Sequence, residues 1–169
     1  MRSSLLLTII ALAVAGLAHA ETAVILDQKD SPLKITAYSA IFEPESRGRY
    51  DTHSDRIKHD LKYSNVSEKK IVAIRIGIAA FDTFNNFMGR FGGVSIDELQ
   101  PKAETNGAWT QSPYAAFLFK KFGTGVAYVS ELRFDDGTFW RADMDSILAQ
   151  MRKFEATLVK DDLKEKNGK

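Results

Sequence analysis

The sequence of 169 residues contains no cysteine. Disulfide bonds, together with redox and thiol chemistry, are therefore excluded. A bacterial lipoprotein anchor is excluded too, because such an anchor is attached to a cysteine. Stability must come from the burial of apolar side chains. Phosphate-binding glycine loops and the G-x-S-x-G nucleophile elbow are also missing, and no motif indicates a cofactor.

A surplus of charge of one sign is missing as well. From Glu21 onward the chain has 149 residues, with 22 basic and 22 acidic side chains once Arg2 is left out. This neutral balance argues against a nucleic-acid partner, which needs surplus Lys and Arg to neutralise phosphates. The length suits one domain with its own core. No feature indicates a particular oligomeric state.

The N-terminal residues have the pattern of a secretory signal peptide. Arg2 supplies a positive charge, residues 5–18 form an apolar run, and Ala18-His19-Ala20 matches the site after which signal peptidase cuts. The run is shorter than the roughly 20 apolar residues of a membrane span, which favours cleavage over an uncleaved anchor. We expect residues 1–20 to be removed and the mature protein to be periplasmic or secreted, without a transmembrane segment.

Alternating apolar and polar residues predict a mostly β fold over residues 33–142. The strongest strand is 71–81, where every second residue from Val72 to Ile78 is apolar, so we expect it to lie centrally in a sheet. Asp135-Asp136-Gly137 is typical of a tight hairpin that leads into a strand over 138–141. Several short strands joined by turns indicate an antiparallel β-sandwich. Further strands are expected at 34–43, 57–63, 109–120 (interrupted) and 126–134.

The C-terminal part has helical periodicity instead. Asp143 is a suitable N-cap, and five apolar side chains then follow at spacings of three and four. We predict a helix over 143–160, followed by a frayed tail over 161–169. Residues 21–32 are expected to be a lead-in segment, and the Asn- and Gly-rich residues 82–93 a loop or an irregular hairpin tip. The five apolar residues are Met144, Ile147, Met151, Phe154 and Leu158.

The stretch from Leu61 to Thr105 resembles the extracytoplasmic FxLYD domains. The matching features are Asn65-Val66-Ser67, the apolar strand 71–78, Phe81-Asp82 and Leu99-Gln100-Pro101. The first aromatic residue and the leucine of the naming motif are absent from residues 78–82. The resemblance implies an immunoglobulin-like sandwich with no known catalytic role, and no functional residues transfer with it.

An aromatic cluster provides the candidate binding residues. Phe84, Phe87 and Phe91 lie close together in a segment that also contains asparagines and glycines. Burial is the commoner fate of phenylalanine and is favoured here as a plug beneath the sheets. If exposed, these residues would contact a protein, peptide or lipid partner.

One loop offers candidate metal ligands. In an extended segment, Asp51, His53 and Asp55 lie on one face, as a divalent metal site would require. A solvated polar loop explains the same residues and is favoured, because spacing alone supplies no supporting ligands. His59 shares the parity of apolar neighbours, so we expect a hydrogen-bonded, partly buried histidine without a catalytic role.

Three functions follow from these observations. The leading hypothesis is an exported, non-catalytic binding or interaction module that uses the sandwich surface or Phe84, Phe87 and Phe91. The alternative is a metal-assisted hydrolase that uses Asp51, His53 and Asp55. A third hypothesis is a structural component of the cell envelope whose C-terminal helix docks a partner.

Overall fold

The structure, a computed structural model, describes residues 22–112 and 120–164. Within these ranges the chain forms ten strands, one α-helix and one short 3-10 helix. The strands are β1 (Thr22–Ile25), β2 (Leu33–Glu43), β3 (Ser46–Arg47), β4 (Thr52–His53), β5 (Arg56–Asn65), β6 (Ile71–Asp82), β7 (Phe87–Ser95), β8 (Glu104–Gln111), β9 (Phe122–Phe134) and β10 (Phe139–Arg141). The α-helix, α1, spans Met144–Met151, and the 3-10 helix spans Lys160–Leu163.

The strands form two main sheets. The larger sheet has the order β1-β9-β6-β7, with β10 also paired to β9, and the smaller has the order β2-β5-β8. All main-sheet pairs are antiparallel except β1 with β9, which is parallel. Strand β6 lies between β9 and β7, so the central position predicted for residues 71–81 is confirmed.

The sheets and α1 form three layers. One core cluster joins side chains of both sheets, such as Leu61 of β5 and Ile76 of β6. The opposite face of the larger sheet packs against α1, with Tyr128 and Met151 in a shared cluster. The prediction of a mostly β, sandwich-like fold with a C-terminal helix is confirmed.

Two local sequence signals, a turn and a helix cap, are also confirmed. Gly137 has a φ of 83°, and its N–H donates to the carbonyl of Phe134 at 3.0 Å in the turn before β10. Asp143 caps α1, because its carboxylate accepts the N–H of Asp145 at 3.0 Å. Both features depend on residues next to each other in the chain, which is why the sequence predicts them.

The lead-in segment predicted for 21–32 is partly wrong, because residues 22–25 form β1. Thr22 to Ile25 pair with Thr124 to Ala127, and the N–H of Leu26 extends the ladder to the carbonyl of Ala127 at 3.0 Å. The apolar run that begins at Ala23 does not alternate. Its pairing partner lies about a hundred residues away and only the tertiary structure brings it near.

The loop or irregular hairpin tip predicted for 82–93 is too long, because most of the segment is strand. The turn spans only residues 83–86, and β7 pairs with β6 from Phe87 onward. Gly93 does not interrupt this strand; it makes room for a tryptophan. A Cβ on Gly93 would lie 2.7 Å from Cδ2 of Trp109, whose indole N–H donates to the carbonyl of Val94 at 3.1 Å.

The predicted C-terminal helix is too long. Regular α-helix ends at Met151, and residues 152–158 continue as turns in which Lys153 and Phe154 donate to carbonyls three residues earlier. The predicted apolar face is nevertheless packed against the larger sheet. The tail is also folded as far as it is described, because Leu163 in the 3-10 helix is buried.

Strand β8 begins at Glu104, five residues before the start predicted for the strand over 109–120. Glu104 to Gln111 pair with β5 over the full length of β8. The second part of the predicted interrupted strand covers residues 114–120, of which 114–119 lie outside the described residues.

Candidate binding site at one end of the sandwich

The candidate residues lie at one end of the sandwich, here called the Phe84 end. At this end β2 pairs through Glu43 with Arg56, where β5 begins, and β6 ends at Asp82 opposite Phe122. A buried cluster of Ala40, Ile57, Ala80 and Phe122 joins the two sheets just beneath it. The β6–β7 turn and the β3–β4 hairpin therefore leave the sandwich at the same end.

Phe84 occupies the tip of the β6–β7 turn and is 82 % exposed. The turn is held by Asp82, whose Oδ1 accepts the N–H groups of Phe84 at 2.8 Å and Asn86 at 2.9 Å. The Asn86 side chain donates to Asp82 Oδ2 at 2.9 Å. Asn85 has a φ of 64°, a conformation that asparagine tolerates better than most residues. The tip is thus ordered by its own polar groups, and the aromatic ring is left outside.

The Asp82 carboxylate is electrostatically suited to this role. Partial desolvation raises the pKa of Asp82. The hydrogen bonds from Asn86 and Phe84 and the charge of Lys121 together lower the pKa by more, so it lies below its ordinary value. The carboxylate remains ionised near neutral pH and keeps accepting the turn's N–H groups.

Phe87 and Phe91 do not share the exposure of Phe84. A β-bulge places Ala80 opposite Gly89 but Phe81 opposite Phe87, with Met88 as the extra residue. Phe87 therefore faces the α1 layer, where its ring lies 5.7 Å from that of Phe81. Phe91 faces the space between the sheets. Phe87 and Phe91 are half-buried, in the direction expected for a plug beneath the sheets, whereas Phe84 is exposed.

Phe87 is also fixed through its backbone. Its N–H donates to Glu155 Oε2 at 2.5 Å, which connects the start of β7 to the segment after α1. Phe154, next to Glu155, stacks on Phe81 with ring centroids 5.2 Å apart. The base of the Phe84 turn is thus attached to the helical layer.

His59 is buried beneath the same end, as a hydrogen-bonded histidine. Its Nε2 lies 3.2 Å from Gln111 Oε1, which can only accept, so Nε2 donates and Nδ1 accepts from the Tyr38 hydroxyl at 3.0 Å. Its ring stacks against Phe91 at 5.7 Å. Burial lowers the pKa of His59 to about 4 and raises that of Tyr38. This group is neutral and enclosed.

The three candidate metal ligands are divided between different partners. His53 Nε2 lies 3.3 Å from Asp51 Oδ2, but Asp55 is buried and its Oδ1 accepts the N–H of Glu45 at 2.7 Å. Within residues 22–112 and 120–164, no three His, Asp or Glu side chains form a group that could hold a metal ion. No observation favours the hydrolase hypothesis.

The β3–β4 hairpin carries an exposed aromatic that the sequence analysis missed. Tyr50 is 92 % exposed, and the guanidinium of Arg49 lies 5.9 Å from the centroid of its ring. The sequence signal is Gly48-Arg49-Tyr50, a glycine-led tip that carries one cation and one ring. Arg47 at the same tip pairs with Glu45 at 2.5 Å.

A second missed feature is the pair Lys120-Lys121, which lies beside the Phe84 turn. The carbonyl of Lys121 accepts the N–H of Thr83 at 3.0 Å, so the lysine backbone adjoins the residue before Phe84. Both lysines are exposed. In the sequence, two lysines directly before a strand indicate only a solvent-exposed turn. The fold alone places them next to an exposed ring.

Clefts occur on both sides of the segment between β1 and β2. One, of about 510 Å³, lies between this segment, Trp140 and α1; the other, of about 450 Å³, lies between this segment and the start of β2. The Gln28 side chain crosses between them and exchanges two hydrogen bonds with the backbone of Val129, at 2.7 and 2.8 Å. Gln150 makes the same bidentate contact with the backbone of Asp27. These amides complete the ladder of β9 and attach α1, which is a structural role.

No helix within residues 22–112 and 120–164 combines the length and apolar character needed to cross a bilayer.

The geometry defines the class of fold, a β-sandwich with a helical layer on its larger sheet, and a solved structure resembles it. No family model and no curated protein matches the sequence. A hypothetical protein of Peptoclostridium difficile 630 has a TM-score of 0.54 at 10 % identity, over 78 % of this chain and 95 % of that one. At this identity the likeness concerns the fold alone.

A second solved structure, Northeast Structural Genomics Consortium target SoR45, has a TM-score of 0.43 at 9 % identity, over 67 % of this chain and 81 % of that one. Neither neighbour bears on the FxLYD resemblance, which stays a prediction. The structure does connect two of its motifs, since Asn65 donates to the carbonyl of Leu99 at 3.1 Å.

Proposed function

We propose that this protein is an exported binding or interaction module without a catalytic role, and that it contacts its partner through the Phe84 end. The observation that carries the proposal is the 82 % exposure of Phe84 on a turn fixed by four hydrogen bonds to one carboxylate. Because the backbone of the tip is already ordered, less conformational entropy is lost when the ring binds a partner, as is expected of an interface anchor.

The roles of the other two candidates differ from that of Phe84. Phe87 is the anchor that attaches the turn to the α1 layer, and Phe91 belongs to the packing between the sheets. They support the display of Phe84 and do not contact the partner. Export is supported by the leader pattern of residues 1–20.

The proposal is tested by comparing two exposed phenylalanines. Phe139 lies in β10 at the opposite end and is 52 % exposed, so Phe139→Ala is the matched control for Phe84→Ala. Tagged wild-type protein and both variants are cross-linked in the living host, purified, and compared for bound protein, peptide and lipid. We expect species captured by the wild type and by Phe139→Ala to be lost with Phe84→Ala. Equal capture by all three proteins would refute the proposal.

A further inference from the structure

The Phe84 end combines its exposed rings with exposed cationic side chains. We propose that its partner is the surface of a bilayer that contains anionic phospholipid, an inference that rests on the proposed function. The β6–β7 turn and the β3–β4 hairpin would enter the headgroup region together. Aromatic rings and cationic side chains are the residues that anchor proteins at this interface.

The first element of this surface is the ring of Phe84 with its neighbouring lysines. The hydrogen bond from Thr83 to the carbonyl of Lys121 places the backbone of this lysine beside the tip. Lys120 and Lys121 are exposed, and their long side chains can reach phosphates while the ring lies deeper.

The second element is the tip of the β3–β4 hairpin. Tyr50 projects into solvent, and Arg49 lies against its ring. Tyrosine has an apolar ring and a polar hydroxyl, and this combination suits the boundary between headgroups and acyl chains. Arg49 adds a guanidinium, which pairs with phosphate oxygens through two donors.

Across residues 45–51, 82–86 and 120–121, four cationic side chains lie with three carboxylates, an excess of one positive charge. Among the described residues, no carboxylate forms an ion pair with Arg49, Lys120 or Lys121. The nearby carboxylates have partners of their own: Glu45 pairs with Arg47, and Asp51 Oδ2 lies 4.0 Å from Nη2 of Arg56. Asp82 accepts the N–H groups of its own turn and feels the charge of Lys121. Each cation near an anionic membrane surface contributes about fivefold to partitioning at low salt.

The convex shape of both tips favours a bilayer over a protein partner. A ring that is 82 % or 92 % exposed has few neighbours of its own, so a protein would need a pocket shaped for each tip. A bilayer interface closes around such tips without a matching surface. A protein partner is therefore an outcome of the test and not the proposal.

The absence of cysteine allows a single-site fluorescence test. The full chain, isolated as its host exports it, carries Phe84→Cys or, at the opposite end, Glu68→Cys, each labelled with an apolar environment-sensitive dye. The probes are vesicles of phosphatidylcholine alone or with about one third phosphatidylglycerol. We expect a blue shift at position 84 with the anionic vesicles only, reversed by high salt, and no shift at position 68.

Charge and ring variants complete the test. Removing both lysines with Lys120→Gln and Lys121→Gln should weaken vesicle binding about fivefold for each charge. Phe84→Ser should weaken it about tenfold, whereas Phe139→Ser should leave it unchanged. Binding through an unprocessed leader would be insensitive to all of these changes.

The outcomes separate the two proposals. No shift at position 84 with anionic vesicles overturns the lipid inference. If capture in cells still depends on Phe84, the proposed function stands with a protein or peptide partner. If capture does not depend on Phe84 either, both proposals fail.

Discussion

The turns at the two ends of the sandwich are held in a similar way but differ in burial. At each end the last residue of a strand accepts or donates the hydrogen bonds of the next turn: Asn65 in β5 and Asp82 in β6. Asn65 is fully buried and donates to the carbonyls of Lys69 and Leu99, at 2.8 and 3.1 Å. Asp82 bonds only within its own turn, whose tip is exposed.

The difference shows how one kind of turn serves either stability or display. The Asn65 amide connects segments that are distant in sequence, and its Oδ1 also accepts from the N–H and hydroxyl of Ser67, at 3.0 and 2.7 Å. Its loss would remove four hydrogen bonds, which hold the turn after β5 and connect it to Leu99. The Asp82 carboxylate orders a short loop whose apolar residue contributes little to the core.

The largest expected effect is therefore at the Asn65 end. Asn65→Ala should lower the free energy of unfolding by about 3 kcal/mol, because it removes four side-chain hydrogen bonds at a fully buried position. Denaturant unfolding measures the change. Asn106→Ala, on the exposed surface of β8, is the control and should be nearly neutral. If the two variants unfold at the same denaturant concentration, the Asn65 network has no special role.

The second-largest effect is expected when acid protonates His59 beneath the Phe84 end, which should lower the free energy of unfolding. The pKa of His59 in the folded state, about 4, lies below its unfolded value, so the unfolded chain binds the proton more readily. The contribution of neutral His59 to the free energy of unfolding is complete above the unfolded pKa and is lost as the pH falls from about 6.5 toward 4. The loss is on the order of 2 kcal/mol near pH 5.

The acid prediction is measured by unfolding at a series of pH values. His59→Gln should flatten this part of the pH dependence, because glutamine does not titrate. Hydrogen exchange should show faster opening near Tyr38 and Phe91 than near Asn65 as the pH is lowered. An identical pH dependence in wild type and His59→Gln would contradict the assignment.

A smaller effect is expected for the turn itself. Asp82→Ala removes the acceptor of the Phe84 and Asn86 N–H groups and should cost about 1 kcal/mol, since these groups can bond to water instead. Asp82→Asn keeps an acceptor and should cost less. If Asp82→Ala costs as much as Asn65→Ala, the contrast between the two ends is lost.

The smallest effect on stability is expected for Phe84→Ala. The ring is already exposed, so the unfolding free energy should change by less than about 0.5 kcal/mol. Phe81→Ala, which removes a buried ring, is the comparison and should cost about 3 to 5 kcal/mol. A large loss for Phe84→Ala would show that the ring packs on the protein in solution.

Much of the fold could be predicted because its signals are local. Alternation identified β2, β5, β6 and β9, and Asp-Gly identified the hairpin before β10. The apolar face of the C-terminal segment was also correct, although the regular helix ends at Met151. Helical spacing persists through turns that continue to place Phe154 and Leu158 on the same side, so spacing alone does not mark where a helix ends.

The candidate site was harder to predict, because exposure depends on which strands meet. Phe87 and Phe91 have the same strand parity, and only the bulge at Met88 sends them to opposite faces. The glycines of β7 suggested a loop, whereas Gly93 leaves space for Trp109 from another sheet. The separation of Asp55 from Asp51 and His53 depends on the backbone of Glu45.

The sequence by itself determined the β pattern, the turn at Gly137, the cap at Asp143 and the absence of cysteine chemistry. Each follows from side-chain type or from hydrogen bonds between near neighbours. Only the tertiary structure decided that residues 22–25 pair with β9, that His59 is enclosed and neutral, and that Phe84 lies beside Lys121. These outcomes depend on contacts between distant segments, whose geometry no short stretch of chain contains.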